Sequence, residues 1–103
     1  MTDDPGVALA NALAAAAERI GVGSAISGPT TNWSRGDRAF AILTGGVLEV
    51  RLDGPIAAAA RRTPDTSASR RGPEWVRFAP PELDAMALDR AQAWFEAAWR
   101  RSA

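Results

Sequence analysis

The 103 residues carry twelve basic and twelve acidic side chains, so the formal net charge at pH 7 is zero. The chain has no histidine and no cysteine, which excludes disulfide bonds, the usual zinc sites, cysteine nucleophiles and the commonest general base. The length predicts a single domain over residues 1–103, and the balanced charge gives no overall field that would attract nucleic acid or an anionic membrane.

Residues 4–20 predict an amphipathic helix. Asp4 followed by Pro5 is typical of a capped helix start, and Gly21 is typical of a helix end. The acidic beginning of the chain is unlike a signal peptide, and no run approaches the roughly 20 apolar residues of a membrane span, so we expect a cytoplasmic protein. The apolar stripe of this helix consists of Leu9, Leu13, Ala16, Ala17 and Ile20.

Residues 38–52 predict a β-hairpin, because two apolar, β-prone runs flank the pair Gly45 and Gly46. A two-residue loop determines the register, and residues that face each other share a side of the sheet. One face is therefore wholly apolar and must be covered, whereas the other is mixed and is the expected place for a binding function. The predicted partners are Thr44 with Val47, Leu43 with Leu48, Ile42 with Glu49, Ala41 with Val50, Phe40 with Arg51, and Ala39 with Leu52.

Turn residues separate the other predicted elements. Residues 21–29 predict a turn with a short strand, residues 30–33 a strand, and residues 56–62 a short helix. Residues 63–73 have almost nothing to bury and predict a mobile loop. In the strand at 74–79, Val76 and Phe78 point to one side, while Trp75 and Arg77 join the mixed face.

The last helix is expected to begin at Pro81 and to present a wide apolar arc. Together with the first helix it can cover the apolar face of one small sheet. The fold class predicted is thus α+β, with two layers and an antiparallel sheet of about four to five strands covered on one face by the N- and C-terminal helices. The arc consists of Leu83, Ala87, Leu88, Ala91, Trp94, Phe95, Ala98 and Trp99.

Four segments, at residues 34–43, 46–52, 74–76 and 87–95, resemble motifs of the MmcQ/YjbR and TfoX N-terminal-like small bacterial proteins. The resemblance implies a CyaY-like α+β fold, and some members of the group carry a DNA-binding label or are linked to competence regulation. Frataxin-like iron-binding proteins share this fold. Their acidic ridge is represented here only by Asp3, Asp4 and Glu18, so iron binding is not expected.

Residues 61–77 hold five arginines against two acidic residues, a local charge of plus three, with Trp75 among them. Phosphate contacts beside a stacking aromatic are one interpretation, and a solvated loop with a core tryptophan is the other. The main hypothesis is a non-enzymatic binding or regulatory module for nucleic acid. The alternative is a protein-interaction or homodimer module using the outer face of the sheet, unless Trp33 and the 63–73 segment fold over it.

No carboxylate pair with suitable spacing stands out, so we expect no enzymatic activity, no cofactor and no metal. The candidate binding surface consists of Phe40, Ile42, Glu49, Arg51, Arg70, Arg71, Trp75 and Arg77.

Overall fold

The structure is a computed structural model that describes residues 5–102. These residues form one antiparallel sheet of six strands, in the spatial order β1-β2-β3-β4-β6-β5, together with helices near both ends of the chain. No helix in this range is long and apolar enough to span a bilayer. The elements are α1 (Pro5–Ile20), β1 (Ser24–Ser27), β2 (Thr30–Arg35), β3 (Arg38–Thr44), β4 (Val47–Arg51), α2 (Gly54–Ala60), β5 (Thr66–Ala68), β6 (Trp75–Phe78) and α3 (Ala85–Arg101).

Helices α1 and α3 cover one face of the sheet, which confirms the predicted α+β class. The predicted stripe of α1 points to the core: Leu9 and Leu13 are fully buried, and Ile20 packs at its edge. Gly21 ends the helix with a φ of 78°, a conformation that costs glycine little. The predicted cap Asp4 lies outside the described residues.

The central hairpin has the predicted register from Ala41 to Val50, including Ile42 opposite Glu49. Beyond Ala41 the prediction is wrong: the predicted pairs of Phe40 with Arg51 and of Ala39 with Leu52 are absent, since the pairing with β4 ends at Ala41 and Val50. At the same place β3 changes its register with β2. Trp33 faces Ala41 while Ser34 faces Ala39, so Phe40 is an extra residue in β3. Such a β-bulge turns two consecutive side chains towards the same face.

The bulge places Phe40 in the core rather than on the outer face. Its ring is 1% exposed and packs against two aromatic rings of α3, with centroid distances of 5.4 Å to Phe95 and 5.6 Å to Trp99. Trp33 meets the same Phe95 ring edge-on at 5.2 Å. Two strands and a helix therefore converge on one aromatic cluster, which makes this end of the sheet well packed.

Helix α3 begins later than predicted. The segment after Pro81 is not helical, and Asp84 caps the helix because its Oδ1 accepts a hydrogen bond from the Ala87 N–H at 2.8 Å. The predicted apolar arc is confirmed from that point, since four of its members are fully buried and the others pack at the edge of the core. The buried members are Ala87, Ala91, Phe95 and Ala98.

The 63–73 segment is partly a strand, and in that respect the loop prediction is wrong. Thr66 to Ala68 pair with β6 as β5, so the sheet has six strands instead of four or five. A left-handed residue, Asp65, with a φ of 67°, turns the chain into this strand. The Thr66 hydroxyl lies 2.8 Å from the Ala60 carbonyl oxygen and ties the strand to α2. Pairing with an open sheet edge, rather than burial, creates this element.

Candidate anion-binding site

The face of the sheet away from the helices carries a row of side chains across the central strands. Ile42 faces Glu49, and Glu49 faces Arg77 on the neighbouring strand β6. Because directly opposed residues share a face, the carboxylate and the guanidinium point to the same side. Glu49 is thus the acidic centre of the outer face.

The chain from Ser69 to Pro73 folds over this centre. The Ser69 hydroxyl donates a hydrogen bond to one Glu49 oxygen, and Arg71 Nε donates to the other at 3.0 Å. The Arg71 N–H in turn donates to Ser69 Oγ at 3.1 Å. Both carboxylate oxygens of Glu49 are therefore occupied by the same short segment.

The far end of this segment is held beside Trp75. The Trp75 N–H donates to the Gly72 carbonyl oxygen at 3.1 Å, and Arg61 Nη1 donates to the Pro73 carbonyl oxygen at 2.9 Å. Gly72 has a φ of 146°, which favours glycine, and a Cβ there would lie 3.7 Å from the indole. The Arg71 guanidinium carbon lies 5.8 Å from the centre of the Trp75 ring, within the range of a cation–π contact.

Two arginines of the site have no acidic partner among residues 5–102. Arg77 lies opposite Glu49, yet the carboxylate is bonded to Ser69 and Arg71, and no ion pair of Arg77 is found in that range. The same is true of the exposed Arg70. An open cavity of about 440 Å³ lies between these groups, lined by Glu49, Ala68, Arg70, Arg71 and Arg77.

The charges around the cavity do not cancel. Three guanidinium groups surround one carboxylate, so the lining carries a formal charge of plus two. Guanidinium groups present planar sets of N–H donors that match carboxylate and phosphate oxygens. The geometry therefore suits a ligand with an exposed oxyanion.

Arg51, which the sequence assigns to the same surface, belongs to a different cluster. Its Nη2 donates to Glu74 Oε1 at 3.2 Å, while Arg101 at the end of α3 donates to the other oxygen of Glu74. Arg101 Nε also lies 3.7 Å from Asp53. The hydrogen bond from Arg101, followed by that from Arg51, holds the pKa of the Glu74 carboxyl below its usual value. This ion cluster links β4 and β6 to α3. The Arg51 guanidinium is therefore not free to bind a ligand.

Two of the three apolar members of the predicted surface are not available for binding. Phe40 is in the core for the reason given above, and Ile42, although on the outer face, is only 5% exposed. Sequence reasoning also missed Ser69 and Gly72, which shape the segment over Glu49. The sequence does contain a signal for this turn. Ser69 is followed three residues later by the pair Gly72 and Pro73, and serine, glycine and proline are typical turn residues.

Comparisons with protein families, with curated proteins and with solved structures found no match. The resemblance to the MmcQ/YjbR and TfoX-like proteins therefore stays a prediction from short motifs. Residues 5–102 include no group of three or more acidic side chains that could hold a metal ion. The functional argument accordingly depends on the geometry of the outer face.

Proposed function

We propose that the protein is a non-enzymatic binding module whose outer sheet face takes an anionic ligand, the phosphate backbone of a single-stranded nucleic acid. The observation that carries the proposal is the pair Arg70 and Arg77, two cations beside an open cavity with no acidic partner in the described chain. Both guanidinium groups line the same concavity.

Glu49 has an organising role in this proposal. Its carboxylate receives Ser69 and Arg71, so it holds the 69–73 segment against the sheet and fixes one wall of the cavity. A carboxylate whose two oxygens already accept hydrogen bonds is a poor general base. This engagement of Glu49 favours binding over catalysis at the site.

Trp75 supports a nucleic acid over a small anion. The indole is half-buried next to Arg71, so an aromatic surface adjoins the cationic cavity. Proteins that bind single strands combine such a charged groove with aromatic rings on which bases stack, each stacked base contributing about 1–3 kcal/mol. A small inorganic anion would use the arginines but gain nothing from Trp75.

The alternative, a protein-interaction or homodimer surface on the same outer face, has less support. The apolar residues expected on this face are Phe40, Ile42, Val47 and Trp75, and the first two of these side chains are buried. The remaining outer-face apolar residues, Val47 and Trp75, are each half-buried. Interface centres are usually apolar and accessible, whereas this face offers mainly charge.

The test is the salt dependence of binding to a fluorescently labelled single-stranded oligonucleotide, followed by anisotropy. For single strands the slope of log K against log salt concentration is about −0.7 for each phosphate neutralised, so contacts by two or three arginines predict a slope between about −1.4 and −2.1. Arg77→Gln should weaken binding and make the slope shallower by about 0.7.

Arg100→Gln is the matched control, because Arg100 is an exposed arginine on α3, in the layer that covers the opposite face of the sheet. It changes the net charge by the same amount and should leave affinity and slope unchanged. Absence of binding at low salt, or equal effects of the two variants, would contradict the proposal.

A further inference from the structure

The first strand of the sheet has an unprotected edge. β1 is the outermost strand, it pairs only with β2, and all four of its residues are exposed. Natural proteins usually protect such an edge with a charge, a proline or a bulge within the strand. The sequence of β1, Ser-Ala-Ile-Ser, contains none of these.

The hairpin between β1 and β2 determines which backbone groups are free. Ser27 faces Thr30 across a two-residue turn, so this pair is hydrogen-bonded, and hydrogen-bonded pairs alternate with non-hydrogen-bonded pairs along an antiparallel ladder. Ala25 therefore bonds to β2. Ser24 and Ile26 therefore point their N–H and C=O groups away from β2, at the open edge of the sheet. An added strand would form hydrogen bonds with these groups.

An apolar groove lies beside this edge on the helix side of the sheet. Its volume is about 480 Å³, and it runs between α1 and the first two strands, with the Ile26 side chain 76% exposed at its border. The helix contributes small side chains, including Ala10 and Ala14, and one acidic residue, Glu18.

We infer that the occupant of this edge is a second copy of the chain, joined through antiparallel pairing of the two β1 strands about a two-fold axis. Opposed residues must lie on the same face of the continuous sheet, so the axis passes either between the two copies of Ala25 or between the two copies of Ile26. The first register places Ser24 opposite Ile26 of the partner subunit. All the free backbone groups of Ser24 and Ile26 are then used, in about four hydrogen bonds.

The same register explains the exposed isoleucine. Ile26 of the partner subunit lies next to Ser24, which is itself part of the groove, so each apolar side chain reaches the border of the other copy's groove. No charge on either strand opposes the approach, because β1 carries none. An extended segment of an unrelated protein would use the backbone edge equally well, but this self-complementary placement favours a second copy.

The absence of cysteine allows a direct test with single-cysteine variants. In the proposed register the two Ala25 residues form a non-hydrogen-bonded pair with Cα atoms about 4.5 Å apart, a separation that a disulfide spans. Ala25→Cys should form covalent dimers rapidly under mild oxidation. Ser67→Cys is the matched control, since Ser67 is the exposed central residue of the opposite edge strand β5 and points to the same outer face.

Mass measurement by light scattering provides the second arm, from about 5 to about 500 µM protein, because association follows mass action. The unmodified chain should become dimeric with rising concentration, and Ile26→Lys should raise the dissociation constant about tenfold or more. Met86→Lys is its control, because Met86 is 75% exposed on α3 and distant in sequence from the edge. Circular dichroism checks that each variant is folded.

Three results would overturn the inference. These are a monomer over the whole concentration range, a dimer that Ile26→Lys leaves unchanged, and equal rates of disulfide formation for Ala25→Cys and Ser67→Cys. The inference is independent of the proposed anion site, since a dimer through β1 leaves the cavity beside Arg77 open in both copies.

Discussion

The position of Phe40 in the core can be tested by measuring how substitutions of Phe40 change the free energy of unfolding. Phe40→Leu keeps a large apolar side chain at the bulge but removes the ring contacts with Phe95 and Trp99. Aromatic pairs contribute about 0.5–1.5 kcal/mol each beyond their burial, so the loss of two pairs should lower the free energy of unfolding by about 1–3 kcal/mol. Phe40→Ala also leaves a cavity, and the expected loss is then about 3–5 kcal/mol.

Urea denaturation followed by far-ultraviolet circular dichroism measures these changes in the free energy of unfolding. An unchanged slope of that free energy against urea concentration shows that the folded and unfolded states of the variant resemble those of the original chain. Trp75→Leu is the control on the other side of the sheet, where the ring is half-buried and has a cation contact with Arg71 worth about 0.5–1 kcal/mol. If Phe40→Leu costs less than Trp75→Leu, Phe40 does not pack in the aromatic cluster and the bulge is placed wrongly.

Two further predictions concern single polar side chains. Because the folded-state pKa of Glu74 is below its usual value of 4.5, the stability it contributes is complete above that pH and is lost as the pH falls through the lowered pKa. Unfolding midpoints measured from about pH 7 down to about pH 3 should therefore decline less steeply for Glu74→Gln, and equal declines would refute the assignment. Asp84→Ala removes the cap of α3 and should cost about 0.5–2 kcal/mol in urea denaturation, whereas Asp84→Asn, which can still accept the bond, should cost much less. Asp89→Ala, at an exposed position inside the same helix, should be nearly neutral, and a cost like that of Asp84→Ala would show that capping is not the cause.

Local patterns in the sequence predict most of the architecture. The pair Gly45 and Gly46 determines the register of the hairpin as far as Ala41, because a two-residue loop leaves no freedom in the pairing. The period of the apolar residues predicts the buried stripes of α1 and α3. β5 could not be predicted in this way, since Thr66 to Ala68 show no apolar alternation and become a strand through pairing with β6.

The composition of the candidate site was predictable only in part. The alternation along β4 and β6 places Glu49, Arg77 and Trp75 on the outer face, as expected. Arg51 has the same alternation, yet it binds Glu74, because α3 brings Arg101 to that carboxylate and builds an ion cluster there. Contacts of this kind depend on how distant elements pack, and no pattern within one strand contains that information.

The bulge at Phe40 also separates the two ends of β3 from each other. From Ala41 onwards the glycine turn sets the pairing of β3 with β4, whereas the turn at Gly36 and Asp37 sets the pairing of Ala39 with β2. A strand without a bulge transmits a one-residue shift along its whole length and exchanges its two faces. In β3 the extra residue absorbs a one-residue shift in register. The turn at Gly36 can therefore change in length while Ile42, Glu49 and Arg77 stay aligned across the outer face.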